Sequence, residues 1–302
     1  MSHTIFLPSD FGFKNGNYSH IQEFLQQVLY DQDEVCIDAS NLKFISPVGF
    51  CLVRSLVSHY LKNSIKLTWK YPKDENAKSF LTTIKLYQPN ENKFESKSHF
   101  PLTKVTQENI DQTEFIHSLC SILKHQGITD NKLLEILEYS LPEIIQNIFH
   151  HSGVQYGYVS MMLYKNTHLQ VAIVDNGMGI RESLTKNPRF PARLIDDAQA
   201  ISLALYPKIS GTADKNLAGY GNGGEGLYWV SEAIKKNKGQ LYIHSGNGLL
   251  LVHGDKYEYT QGAFWQGTVV CMNISLKHLF DIGEIFTDKH YSIDDNLFDI
   301  HD

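Results

Sequence analysis

Five glycines fall within eight residues at Gly219-Tyr-Gly221-Asn-Gly223-Gly224-Glu-Gly226, and the run leads straight into Leu227-Tyr-Trp-Val-Ser-Glu-Ala-Ile-Lys-Lys. No helix or strand tolerates that density, because glycine carries the largest backbone entropy and no side chain to pack. The segment must be an irregular loop that opens a helix over 227–236, and Lys238-Gly239 marks that helix's end. Backbone N–H groups gathered at a helix N-terminus form a cradle for anions. No Gly-Lys-Ser/Thr follows, so this is not a Walker loop, and it does not open a strand–helix–strand unit of Rossmann type. Alone, such a loop reads equally well as a flexible linker.

Three further stretches give it a context. In Glu143-Ile-Ile-Gln-Asn147-Ile-Phe-His-His151, steps of four put Glu143, Asn147 and His151 on one helix face and Ile144, Ile145 and Ile148 on another. An amide oxygen and a carboxylate in one row suit a hard, largely hydrated Mg²⁺. Ser140-Leu-Pro-Glu143 is also a good capping box with Pro142 in the first turn, so Glu143 has a second, structural reading. Val171-Ala-Ile-Val-Asp175-Asn-Gly177-Met-Gly179-Ile180 reads as a strand delivering a carboxylate, then two glycines that let the backbone turn closely. A buried carboxylate there can accept a hydrogen bond from an adenine amino group, although Asp-Asn-Gly is also common turn chemistry. Gly267-Thr268 lies on a later strand.

In this order the elements resemble the GHKL superfamily, which includes the histidine-kinase, gyrase, mismatch-repair and heat-shock-chaperone ATPases and the anti-sigma-factor kinases. Glu143-x3-Asn147-x3-His151 is similar to its asparagine box, Asp175-x-Gly177-x-Gly179 to its first glycine box, Gly219–Gly226 to its second, and Gly267-Thr268 to its final box. The match spans about 145 residues. The resemblance implies an α/β (α+β) chain whose C-terminal part is a two-layer α/β sandwich with a mixed sheet, binding Mg-ATP. Asn147 would ligate Mg²⁺, with His151 in the same row. Asp175 would bind adenine, with Gly177, Gly179 and Ile180 shaping the pocket and Thr268 supporting Asp175. Residues 181–220 would form a lid, with Gly221, Gly223, Gly224, Gly226 and Leu227 at the phosphates, and Glu143 would polarise the attacking group. Glu225 departs from the pattern by placing a carboxylate in the phosphate loop.

Upstream, the pattern predicts helices over 20–29, 47–61 and 79–86 and strands over 34–37 and 65–69. Val35-Cys-Ile-Asp38-Ala-Ser-Asn-Leu-Lys-Phe44-Ile-Ser46-Pro-Val-Gly49 is similar to the STAS domain of anti-sigma-factor antagonists. Val48 stands where that family carries its phosphoacceptor hydroxyl, and Ser46 is expected to cap the helix begun by Pro47. The polar stretch 91–113 lacks periodicity. The expected organisation is therefore 1–95 STAS-like, 96–113 linker, 114–276 ATP-binding and 277–302 an acidic tail. Within the third part, helices are expected over 115–124 and 130–141, and strands over 156–164, 169–174, 241–244, 249–253 and 268–274.

The formal charge of −6 and the absence of a Lys/Arg cluster argue against a nucleic-acid partner. Cys36, Cys51, Cys120 and Cys271 are scattered, without metal-site spacing, and read as small buried hydrophobes of a reducing compartment. No basic, apolar leader and no membrane-length run stand out, so the expectation is cytoplasmic. The resemblances imply an ATP/ADP-dependent switch acting on a regulatory partner protein, with anti-sigma-factor-like serine/threonine kinase activity. Alternatives are an ATPase whose turnover drives homodimerisation or a clamp, and a non-catalytic ATP sensor.

Overall fold

The computed structural model describes residues 3–14, 16–83, 99–106, 121, 123–124, 127, 129–164, 167–186, 196–207, 209 and 226–287. Its first part holds β1 (His3–Phe6), β2 (Asp10–Phe11), α1 (Ser19–Leu25), β3 (Glu34–Asp38), β4 (Phe44–Ile45), α2 (Pro47–Lys62), β5 (Lys66–Lys70) and α3 (Glu75–Thr83). Strands β1, β3 and β5 make a parallel sheet in that order, and β2 pairs with β4. The second part holds β6 (His99–Thr106), α4 (Asn131–His151), β7 (Tyr156–Tyr164), β8 (His168–Val174), α5 (Gly179–Thr185), α6 (Asp197–Ala204), α7 (Gly226–Lys236), β9 (Gln240–His253), β10 (Lys256–Ser275) and α8 (Glu284–Thr287). Its sheet runs β6-β7-β8-β10-β9.

The described residues are thus mixed α/β, with a three-stranded parallel sheet, a five-stranded antiparallel sheet and the small parallel pair β2–β4. The expected mixed sheet is corrected: every neighbouring pair of the five strands is antiparallel. The reason is topological. The long excursion from β8 through α5, α6 and α7 returns to β9 in the direction of β8, and β10 folds back between the two. The helices of this part lie on one face of the sheet, and the first part of the chain covers the other. Along β8, Leu169, Val171 and Ile173 pack with α4 and α7, whereas Ala172 and Val174 belong to the core shared with α1 and α2. Both faces of the sheet are covered, as a nearly unbroken apolar strand requires. Twelve of the sixteen residues of α2 are buried, because the helix lies between the two sheets. The first part is therefore a layer of the same body.

Three more expectations change. The linker contains β6, an edge strand with Pro101 inside it and a register shift between Phe100 and Thr103; an edge position or a bulge is where a strand tolerates proline. The strands expected over 241–244 and 249–253 are one, β9, and that over 268–274 is the end of β10. Residues 277–287 are no free tail: Phe280 and Ile285 are buried in the core beside α4 and α7, and Lys236 pairs with Glu284 at 2.9 Å. Most of the helix expected over 115–124 and all of 288–302 lie outside the described residues. Among the described residues no helix is long and apolar enough to cross a membrane. Cys36, Cys51 and Cys271 are free thiols; Cys120 lies outside the described residues.

Candidate functional site

Helix α4 is one 21-residue helix that runs through Pro142. Its real cap is Asp130, whose carboxylate accepts from the Lys132 N–H at 2.9 Å. Ser140, read as the N-cap of a helix with Pro142 in its first turn, is instead fully buried in mid-helix. The capping role for Glu143 is thereby removed. Leu133, Leu137, Leu141, Ile144, Ile145 and Ile148 form an unbroken buried stripe, which leaves Glu143 and Asn147 on the adjoining face.

That face is one wall of a cavity of about 160 Å³, close to the size that holds a single aromatic ring. Glu143, Gln146, Asn147 and His150 line it from α4, Asp175 and Thr268 from the ends of β8 and the regular part of β10, Gly179 and Ile180 from α5, and Gly226 and Leu227 from α7. Ile173, Leu184 and Val270 supply apolar surface. Eight of the thirteen site residues expected from sequence thus meet at one cavity: Glu143, Asn147, Asp175, Gly179, Ile180, Gly226, Leu227 and Thr268. Gly221, Gly223, Gly224, the Glu225 departure and the side chain of His151 lie outside the described residues. His150, seven positions after Glu143 and so on the same helix face, is exposed and also lines the cavity.

Gly177 is corrected. It does not line the cavity; a Cβ there would overlap the carbonyl of Ser152, the residue that ends α4. Its glycine lets the loop after β8 lie against that helix end, where the Met178 N–H donates to Ser152 O at 2.8 Å. Gly179 is the conformational glycine, at φ 79°, and a Cβ on it would stand 2.7 Å from Ser245 Oγ. Gly226 is tight for another reason: a Cβ would overlap the Glu143 carboxylate. The first residue of α7 therefore abuts that carboxylate directly.

Asp175 is the buried charge of the site, 3% exposed. Its Oδ1 accepts from the Gly177 N–H at 2.8 Å, and its own N–H donates to Thr268 O at 2.9 Å. Burial pushes its pKa up to about 7, against the opposing effect of the Gly177 and Thr268 N–H groups. A carboxyl held near neutrality in an apolar cavity is a common mark of a functional group.

Sequence reasoning missed Ser245 and Trp265. The Ile180 N–H donates to Ser245 Oγ at 2.8 Å, and Ser245 donates to Gly267 O at 2.9 Å. The indole N–H of Trp265 donates to Asp175 O at 3.0 Å. Nothing in the local sequence marks either residue, because both act through partners far along the chain. Ser46 occupies the cap position of α2, as read, but its hydroxyl does not cap; it is 1% exposed and packed beside Gly12. No protein-family model matches this chain, and no curated protein matches it.

Proposed function

We propose that this protein is a Mg-ATP-binding regulator of GHKL type, a nucleotide-dependent switch acting on a partner protein. One observation carries the reading: a buried carboxyl, Asp175, shares a ring-sized cavity with Asn147 and Glu143 on the opposite helix and with Gly226, the last residue of the glycine-rich run. Adenine would enter edge-on, its amino group donating to Asp175, with the apolar side chains of Ile173, Ile180 and Leu184 around the ring. The phosphates would extend past Asn147 towards the loop that precedes α7. The donor set suits Mg²⁺, because the Asn147 amide oxygen and the Glu143 carboxylate are hard ligands one helical turn apart on the same wall. Asn147 would hold the ion, whose part is to neutralise phosphate charge.

Glu143, which lines the same cavity, would take a proton from an attacking water or hydroxyl. A hydroxyl supplied by the chain's own STAS-like segment fits poorly, since Val48 has none and Ser46 is 1% exposed. The acceptor is then water or a separate protein, which favours a clamp-like ATPase or a kinase acting in trans over autophosphorylation at that loop.

Calorimetric titration with Mg-ATP and Mg-GTP tests the reading. ATP should bind and GTP should bind more weakly. Asn147→Ala and Asp175→Ala should each weaken ATP binding at least tenfold, about 1.4 kcal/mol. No ATP binding, or unchanged affinity in both variants, would overturn the assignment.

A further inference from the structure

The ladder between β9 and β10 breaks where it approaches the cavity. Gln261 pairs with Gly248, Trp265 with Gly246, and Thr268 with Ser245, so β10 carries extra residues at two successive places. Between Gln261 and Thr268 only Trp265 keeps a ladder partner, and side chains hold its neighbours. The Ala263 N–H donates to Gln22 Oε1 at 2.7 Å, and the Gln266 N–H donates to Tyr30 Oη at 3.0 Å. Gln22 lies on α1 and Tyr30 just beyond it, so both belong to the first part of the chain.

The network around Gln22 is complete. The Nε2 of His244 faces two carbonyls, Ala263 at 2.7 Å and Gly246 at 3.2 Å, so it carries the proton. The Nδ1 then accepts from Tyr242 Oη at 3.0 Å and from the Gln22 amide at 3.2 Å. Gly262 leaves the room that Gln22 occupies, since a Cβ there would overlap its Oε1. The segment held in this way delivers two contacts to Asp175: the Trp265 indole to its carbonyl, and the Thr268 carbonyl to its N–H. Gly267, between them, is clamped by Ser245, which also fixes Ile180 at the cavity.

We infer that Gln22 and Tyr30 are positioning residues for Asp175, so that the first part of the chain sets the affinity and the adenine selectivity of the cavity. Neither residue lines the cavity; they act by fixing the irregular strand that holds the carboxylate in place. The inference rests on the reading of this cavity as an adenine-nucleotide site.

The test uses the full chain and two probes, Mg-ATP and the Mg complex of purine riboside 5′-triphosphate, which lacks the amino group. Wild-type protein should bind ATP more tightly than the analogue. Gln22→Met and Tyr30→Phe should lose about tenfold in ATP affinity and much less for the analogue, so that discrimination falls. Tyr30→Phe keeps the ring and removes one oxygen, so it decides the matter if Gln22→Met does not fold. Folded variants with unchanged affinities would overturn the inference, and so would equal losses for both probes, which would assign the residues a general structural role. Failure of the wild type to bind ATP at all would instead overturn the site itself, and is seen before any variant is made.

Discussion

Replacing Asp175 by asparagine removes a charge that the fold holds in an unfavourable place. Burial moves its pKa from 3.8 to about 7. At about 1.4 kcal/mol per unit, the ionised form is disfavoured by up to about 4 kcal/mol relative to the unfolded chain. Between pH 3.8 and about 7 the folded protein keeps a proton that the unfolded chain has released. Stability therefore falls as pH rises through that window and levels off above it. Asparagine has no such slope. It has only one acceptor oxygen, however, for the two N–H groups of Gly177 and Thr268 that favour the carboxylate. Leaving one donor against an amide NH₂ costs about 1–3 kcal/mol.

At pH 8 the two effects leave Asp175→Asn more stable than wild type by roughly 1–3 kcal/mol. At pH 5, 1.2 pH units above the unfolded value of 3.8, only about 1.6 kcal/mol of that penalty remains, so the advantage of the variant shrinks by about 2–3 kcal/mol, to or below the wild type. Urea denaturation at both values measures the change. On the proposed reading the variant also loses at least tenfold in ATP affinity, whereas wild-type affinity rises with pH up to about 7 as the carboxylate ionises to meet the amino group. A stability difference between variant and wild type that is the same at pH 5 and pH 8 would refute the account of this carboxyl.

Glu143→Gln should abolish phosphate release or transfer while ATP affinity stays within a few-fold, measured by a phosphate assay beside calorimetry. Gly177→Ala forces a methyl onto Ser152 O and should lower stability by about 1–3 kcal/mol, read as a shift in the urea midpoint. His244 is held neutral, with burial lowering its pKa from 6.5 to about 4; Asp197, whose charge opposes that shift, and Tyr242 are the titratable groups facing it. Its contribution is full above pH 6.5 and is lost as pH falls towards 4, up to about 3 kcal/mol. Because Asp175 slopes the opposite way in an overlapping window, the comparison of His244 with His244→Gln is best made in the Asp175→Asn background.

Much of this arrangement can be read in the chain. The row of Glu143 and Asn147, the strand ending at Asp175 and the helix opening at Gly226 all follow from local periodicity, and they converge on one cavity. The unity of α4 was missed, because Pro142 and the apparent capping box at Ser140 read as a break. The buried positions 133, 137, 141, 144, 145 and 148 keep one phase across Pro142, and that continuity outweighs the proline. Lys238-Gly239 was read correctly as a helix end, with the roles divided between the two residues. Lys238 takes the left-handed conformation at φ 54°, while Gly239 is needed because a Cβ would overlap Asn273 O. What could not be read is whatever depends on distant pairing: the strand β6, the support of Gly267 by Ser245, and the grip of Gln22 on Ala263 from 241 residues away.

The position of α2 bears on how such a switch could work. A regulatory domain that swings on its neighbour needs a small, wettable interface, and a large apolar one locks two units together. Here the seam is core. Val48, Cys51, Leu52 and Leu56 share a cluster with Tyr158, Ala172, Val174 and Cys271 of the antiparallel sheet. The polar groups along it are matched across it as well: Ser58 Oγ with Tyr158 Oη, and the Gln170 amide with Phe13 O at 2.9 Å. Opening this seam would expose those apolar side chains and break those bonds together, which makes separation a form of unfolding rather than a signal. On the proposed reading, nucleotide state therefore has to be reported at segments that can shift without parting the layers.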